Sequence, residues 1–125
     1  MNKKHRLLVV DNEIDVGNFV KSFFEVRGFD VVAVLNGDEA MKILDEMKPN
    51  VVILDVMMRH PKEGLEFLPK IKMKMPGVKV IMITGVADEE TIEECKKMGA
   101  DDYITKPLAL EYLESTVMEK VNQMM

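Results

Sequence analysis

A chain of 125 residues, 47% apolar and 31% charged, holds enough apolar side chain for one compact core and is too apolar for a disordered segment. Its net charge of -5 argues against a nucleic-acid surface, which needs a basic patch. The single cysteine, Cys95, excludes an internal disulfide and suits a reducing compartment, and the methionines read as adaptable core filler.

MNKKHR leads straight into LLVV at 7–10, too short an apolar run for a secretory signal. That run reads as a first strand, ending at Asp11. Val16, Phe19, Val20 and Phe23 then share one helical face, which Arg27-Gly28 closes. VVAV at 31–34 is a second strand. Asn36 and Glu39 predict a capping box, with Asn36 as N-cap and Glu39 reaching back. Ala40, Ile43, Leu44 and Met47 follow on one side of that helix, and Pro49 stops it.

VVIL at 51–54 is a third strand, and it runs directly into Asp55. Leu65, Leu68 and Ile71 mark a third helix before Pro76-Gly77. Lys70, Lys72 and Lys74 point to different sides of that helix and read as solvated charge. VKVIMI at 78–83 is a fourth strand, followed by Thr84-Gly85. Ile92, Cys95 and Met98 give a fourth helix with a thin apolar stripe, ended by Gly99. DYIT at 102–105 is a fifth strand, followed by Lys106-Pro107. Leu110, Leu113, Val117 and Val121 give a fifth helix.

Strand and helix thus alternate five times across a single domain, residues 1–125, with no internal repeat and no linker. Alternation with short links predicts an α/β fold: a parallel sheet with helices on both faces. The first three apolar runs are continuous rather than alternating, as expected of strands buried on both sides. No run approaches the ~20 apolar residues of a membrane span. The expectation is a soluble, cytoplasmic protein with no membrane association.

In such a fold, ligands bind outside the carboxyl ends of the strands. Asp11, Asn12 and Glu13 follow the first strand, Asp55 ends the third, Thr84 the fourth and Lys106 the fifth. Alone, each reads as a helix cap or a surface group. Gathered along one sheet edge, two acids, a hydroxyl and a lysine suit the chemistry of an anionic oxygen with a hard cation. Two adjacent carboxylates repel unless a cation lies between them, and Mg²⁺ prefers such oxygen ligands.

VVDNE, VVILDVMM, MITG and DDYITKP resemble the receiver domain of two-component response regulators, in matching order and over essentially the whole chain. The resemblance implies a chemotaxis-regulator-like (βα)5 flavodoxin-like fold with strand order 2-1-3-4-5. It implies Asp55 as phosphoacceptor, fed by a sensor histidine kinase, a histidine phosphotransfer protein or a small acyl phosphate. Mg²⁺ or Mn²⁺ would be held by Asp11, Asp55, the Met57 backbone carbonyl and, weakly or through water, Asn12. Lys106 and Thr84 would neutralise and bind the phosphoryl oxygens. Thr84 and Tyr103 would be the switch residues, acting on the surface of the fourth helix, fifth strand and fifth helix. That surface would meet a downstream protein target or an attached effector domain, with dimerisation on phosphorylation possible. Such a domain is a signalling module rather than an enzyme: it catalyses only its own phosphorylation and dephosphorylation. Met57 and Val86 stand where the family tunes water attack on the phosphoaspartate, and since both are apolar the resemblance implies slow loss of the phosphoryl group.

Two features depart from the family pattern. Asn12 stands where family members usually carry a second acid, which removes one charge from the metal site. Glu13, at a helix start, is expected to point elsewhere. The loop in DVMMRHPKEGLE is about one residue longer than usual, with Arg59 and His60 in the extra length. These departures feed one alternative, a receiver-like interaction module not regulated by phosphate. A flavin or dinucleotide enzyme on the same architecture needs a Gly- or Ser/Thr-rich loop after the first strand, and Asp-Asn-Glu would repel a phosphate there.

Overall fold

The computed structural model describes residues 4–85 and 89–125. The elements in chain order are β1 (Arg6–Val10), α1 (Ile14–Glu25), β2 (Asp30–Val34), α2 (Gly37–Met47), β3 (Val51–Asp55), α3 (Glu63–Lys74), β4 (Lys79–Thr84), α4 (Glu89–Lys97) and β5 (Asp102–Thr105). The last helix, α5, runs through Leu110–Tyr112, a π-helical turn at Leu113–Val117, and Met118–Gln123. The five strands form one parallel sheet in the order β2-β1-β3-β4-β5. The chain order reverses between β1 and β3, where Leu7 pairs with Val51 and Val10 with Leu54.

Alternate strand residues point to opposite faces, and here both faces are covered. Leu8, Val10, Val52, Leu54, Val80 and Met82 pack with Ala40 and Leu44 of α2, Leu65, Leu68 and Ile71 of α3, and Cys95 of α4. Leu7, Val9, Ile53, Ile81, Ile83 and Ile104 pack with Val20, Phe23 and Phe24 of α1 and Leu113, Val117 and Val121 of α5. That double burial is why the apolar runs are continuous.

The helix faces differ in detail from the periodic reading. On α1 the buried stripe is Gly17, Val20, Phe23 and Phe24, whereas Phe19 is 40% exposed. The face is rotated because Gly17 lets the helix lie close on β2, where a Cβ at that position would come within 3.3 Å of Ala33. On α4 Cys95 is buried, Ile92 is half-buried and Met98 lies exposed beyond the helix end. Leu110 is exposed at the start of α5. The Asn36 cap forms, with its Oδ1 accepting the Glu39 N–H at 2.9 Å. The Glu39 carboxylate reaches back to the Leu35 N–H at 3.4 Å and to Asn36 Nδ2 at 3.3 Å. At the other end of α2, Lys48 takes the left-handed conformation, φ 49°, and Pro49 prevents continuation.

Candidate functional site

Adjacent parallel strands end at the same edge, so β1 delivers Asp11 beside Asp55, the last residue of β3. Thr84 ends β4 and pairs across to Thr105 of β5. The Lys106 N–H continues that ladder by donating to the Thr84 carbonyl at 2.9 Å. The lysine side chain then turns over the edge: Lys106 Nζ lies 3.1 Å from Asp55 Oδ2, 3.1 Å from Asp11 Oδ2 and 2.7 Å from Glu13 Oε1. Asp11, Asp55 and Thr84 are all buried. The Lys106-Pro107 peptide is cis.

Local hydrogen bonds set the carboxylates. Asp11 Oδ1 accepts the Glu13 N–H at 2.8 Å, a turn that folds the chain back on itself before α1. Asp55 Oδ1 accepts the Met57 N–H at 3.3 Å. Asp11 Oδ2, although near Lys106, has no hydrogen-bond partner among the described residues. A cavity of about 280 Å³ opens beside these groups, lined by Asn12, Glu13, Asp55, Met57, Met58, Gly85 and Lys106.

The electrostatics follow from burial and crowding. Burial, and then the neighbouring Asp11 charge, push the Asp55 carboxyl up to about 7, against the lowering effect of Lys106 and of the Met57 N–H. Burial works against the Lys106 ammonium, yet the Glu13 hydrogen bond and the Asp55 and Asp11 carboxylates raise it above the ordinary lysine value. Three acids face one ammonium, which leaves the cluster short of positive charge.

Oxygens of Asp11, Glu13 and Asp55 lie within 4.8 Å of one another. A buried carboxylate oxygen that accepts no hydrogen bond, an all-oxygen donor set and a deficit of positive charge fit a hard divalent cation such as Mg²⁺ or Mn²⁺.

Glu13 is the residue that periodicity missed. Its position at a helix start pointed it away, but the Asp11 turn brings its carboxylate onto Lys106. The signal was present in the DNE triplet, since an Asp side chain commonly bonds the N–H two residues on. Asn12 is exposed and lines the cavity. Tyr103 is half-buried, with Lys120 Nζ 5.7 Å from its ring centre. Among the described residues, no neighbour lies within 4 Å of a Cβ built at Gly85. Arg59 and His60 are engaged elsewhere: Arg59 with Glu63 and Asp38, His60 with Glu66 at 3.3 Å. Val86 lies outside the described residues.

A doubly wound parallel sheet of order 2-1-3-4-5, with an acid–lysine pocket at its switch point, defines a flavodoxin-like α/β protein whose polar site lies at the carboxyl ends of its strands. The family model for the response regulator receiver domain matches residues 7–118. The chain is 39% identical to the chemotaxis protein CheY of Listeria monocytogenes, over 87% of this chain and 95% of that protein. It is 33% identical to the probable transcriptional regulator ycf27 of Porphyridium aerugineum, over 92% of this chain but 47% of that protein. A CheY-like response regulator receiver domain protein from Methanospirillum hungatei JF-1 superposes with a TM-score of 0.85 at 29% identity, covering 98% of this chain and 97% of that one. The chain belongs to the response regulator receiver domain family of two-component signalling, whose standard function is phosphorylation on aspartate. Among the described residues no helix is long and apolar enough to cross a membrane.

Proposed function

We propose that Asp55 accepts a phosphoryl group from a sensor histidine kinase or a histidine phosphotransfer protein, and that the change is read on the face formed by α4, β5 and α5. A carboxylate oxygen of Asp55 forms the new O–P bond as the P–N bond of phosphohistidine breaks, or the P–O bond of an acyl phosphate. Lys106 Nζ, already 3.1 Å from Asp55 Oδ2, balances negative charge on the transferring group. The Thr84 hydroxyl donates to a phosphoryl oxygen, and Tyr103 follows its movement. Asp11, Glu13, Asp55 and the Met57 carbonyl would hold Mg²⁺ or Mn²⁺, with Asn12 contributing its amide oxygen or a water. A bound cation would supply positive charge to the crowded carboxylates and the phosphoryl oxygens. The output, a separate protein target or an attached effector domain, lies outside this fold.

The observation that carries this reading is the convergence of two buried acids and one lysine, from three separate strand ends, within 3.1 Å contacts. Intact-mass measurement after incubation with acetyl phosphate and Mg²⁺ tests it. One phosphoryl adduct is expected in the wild type and none in Asp55→Asn. An adduct that persists in Asp55→Asn, or never forms in the wild type, refutes the assignment.

Asn12 makes a separate prediction. Asn12→Asp adds a carboxylate at the cavity rim and is expected to lower the Mg²⁺ dissociation constant about fivefold, because affinity rises with ligand charge. Calorimetric titration reads this directly, and an unchanged constant places Asn12 outside the metal site.

A further inference from the structure

Four polar side chains are buried among the described residues: Asp11, Asp55, Thr84 and Glu63. The first three belong to the pocket. Glu63 does not, and a buried carboxylate persists only if it is tightly paired. Its partner is Arg59, from the loop after Asp55. Arg59 gives Glu63 its backbone N–H at 2.8 Å and its Nε at 2.7 Å, and a terminal guanidinium nitrogen also donates to the same carboxylate. Both guanidinium donors converge on Oε2 while the backbone N–H takes Oε1, so Arg59 engages both carboxylate oxygens with charge-assisted bonds. These hydrogen bonds hold Glu63 below the usual carboxylate range. Glu63 opens α3, where the helix dipole also favours a negative charge. The same guanidinium reaches Asp38 Oδ2, in the first turn of α2, at 3.2 Å.

The clamp closes an arch. At the base of the arch, the Val56 N–H donates to Ile83 O at 2.9 Å and the Gly64 N–H donates to Val56 O at 2.8 Å. Between these anchors the chain must pass Met57 and Met58, which line the pocket. Within the arch the Met58 N–H donates to His60 O at 3.3 Å, and the Glu63 N–H to the same carbonyl at 3.3 Å. Arg59 and Glu63 thus tie the outer limb of the loop to the start of α3, one residue before Gly64 bonds back to the strand.

We propose that Arg59, held by Glu63, is a positioning residue for the cation site. It fixes the Met57–Met58 segment, and with it the Met57 carbonyl, without touching the pocket itself. This inference rests on the metal-assisted phosphoacceptor reading given above. It differs from a general stabilising role because it assigns a specific loss of cation affinity.

The test is calorimetric Mg²⁺ titration of the wild type, Arg59→Ala, Arg59→Lys and Arg27→Ala, at a temperature where all four are folded. Arg27 is a remote control: it lies just past the C-terminal end of α1, bonds the Phe23 carbonyl at 2.8 Å and stacks on the Phe23 ring. Arg59→Ala is expected to weaken Mg²⁺ binding about tenfold, a size typical of losing a group that orients a metal ligand. Arg59→Lys keeps the charge but not the paired guanidinium donors and is expected to fall between. Arg27→Ala is expected to bind Mg²⁺ as the wild type does, even if its melting temperature drops. Wild-type affinity in both Arg59 variants overturns the inference and leaves the metal reading standing. Equal loss in Arg59→Ala and Arg27→Ala overturns it in favour of plain destabilisation. No Mg²⁺ binding by the wild type removes the reading beneath it, and the inference with it. If Arg59→Ala does not fold, the Arg59→Lys titration decides alone.

Discussion

Gly64→Ala is expected to destabilise the protein by about 3 kcal/mol, at the upper end of the usual cost of forcing an extra methyl group into a packed site. The sign is not obvious beforehand. Gly64 lies in the first turn of α3, and alanine is the better helix former by about 1 kcal/mol. The close approach decides it. A Cβ built on Gly64 would lie 1.9 Å from the Asp55 carbonyl oxygen and 2.8 Å from Val56 Cα, and both are backbone atoms of the site itself. Unlike a side-chain tip, neither can rotate away. The start of α3 would have to lift off the strand, stretching the 2.8 Å bond from the Gly64 N–H to Val56 O. Urea unfolding measures the loss. The same displacement would disturb the segment carrying Met57, so Mg²⁺ affinity is expected to fall in parallel. A variant as stable as the wild type would mean that α3 is not seated on Asp55 as described.

The strands were legible because their physics is local. VVIL can be buried on both faces only at the centre of a sheet, and β3 indeed lies between β1 and β4. The four strand-end residues were legible for a related reason: parallel strands joined by helices must end at one edge. Helix faces were less so. Phe19, Phe23 and Phe24 offer two overlapping stripes on α1, and only the fit of Gly17 against Ala33 selects between them. Glu13 was misjudged, and the pairing of Arg59 went unseen, because neither obeys a period. Glu13 is placed by a turn that the Asp11 side chain makes, and Arg59 by a carboxylate four residues on that opens α3. The α3 start carried no warning either, since Lys62 precedes it without a side-chain cap. Residues whose positions depend on one specific hydrogen bond are visible only once the backbone path is known.

Asp55→Asn is expected to stabilise the cation-free protein, and to do so more at pH 8 than at pH 5. The Asp55 carboxyl rises from an ordinary 3.8 to about 7 on folding, first because it is buried and then because Asp11 adjoins it. A raised acid binds its proton more tightly when folded. Its contribution favours folding fully below pH 3.8, declines as the pH rises and is gone above about 7. Across pH 5 to 8 the folded state must give up a proton that the unfolded chain has already released, costing about 2 kcal/mol. The asparagine side chain has no such proton, so the variant's urea-unfolding free energy is expected to lack that part of the slope. Some of the gain is offset because a neutral amide pairs less strongly with Lys106 than the carboxylate does. Added Mg²⁺ is expected to reverse the ranking at pH 8. It stabilises the wild type through the intact carboxylates in proportion to RT ln(1 + [Mg²⁺]/Kd), whereas the variant has lost a ligand. Parallel pH slopes in the two proteins with EDTA present would show that Asp55 titrates as an ordinary exposed acid. The crowding of charge that makes this edge of the sheet a site for a cation and a phosphoryl group would then be absent.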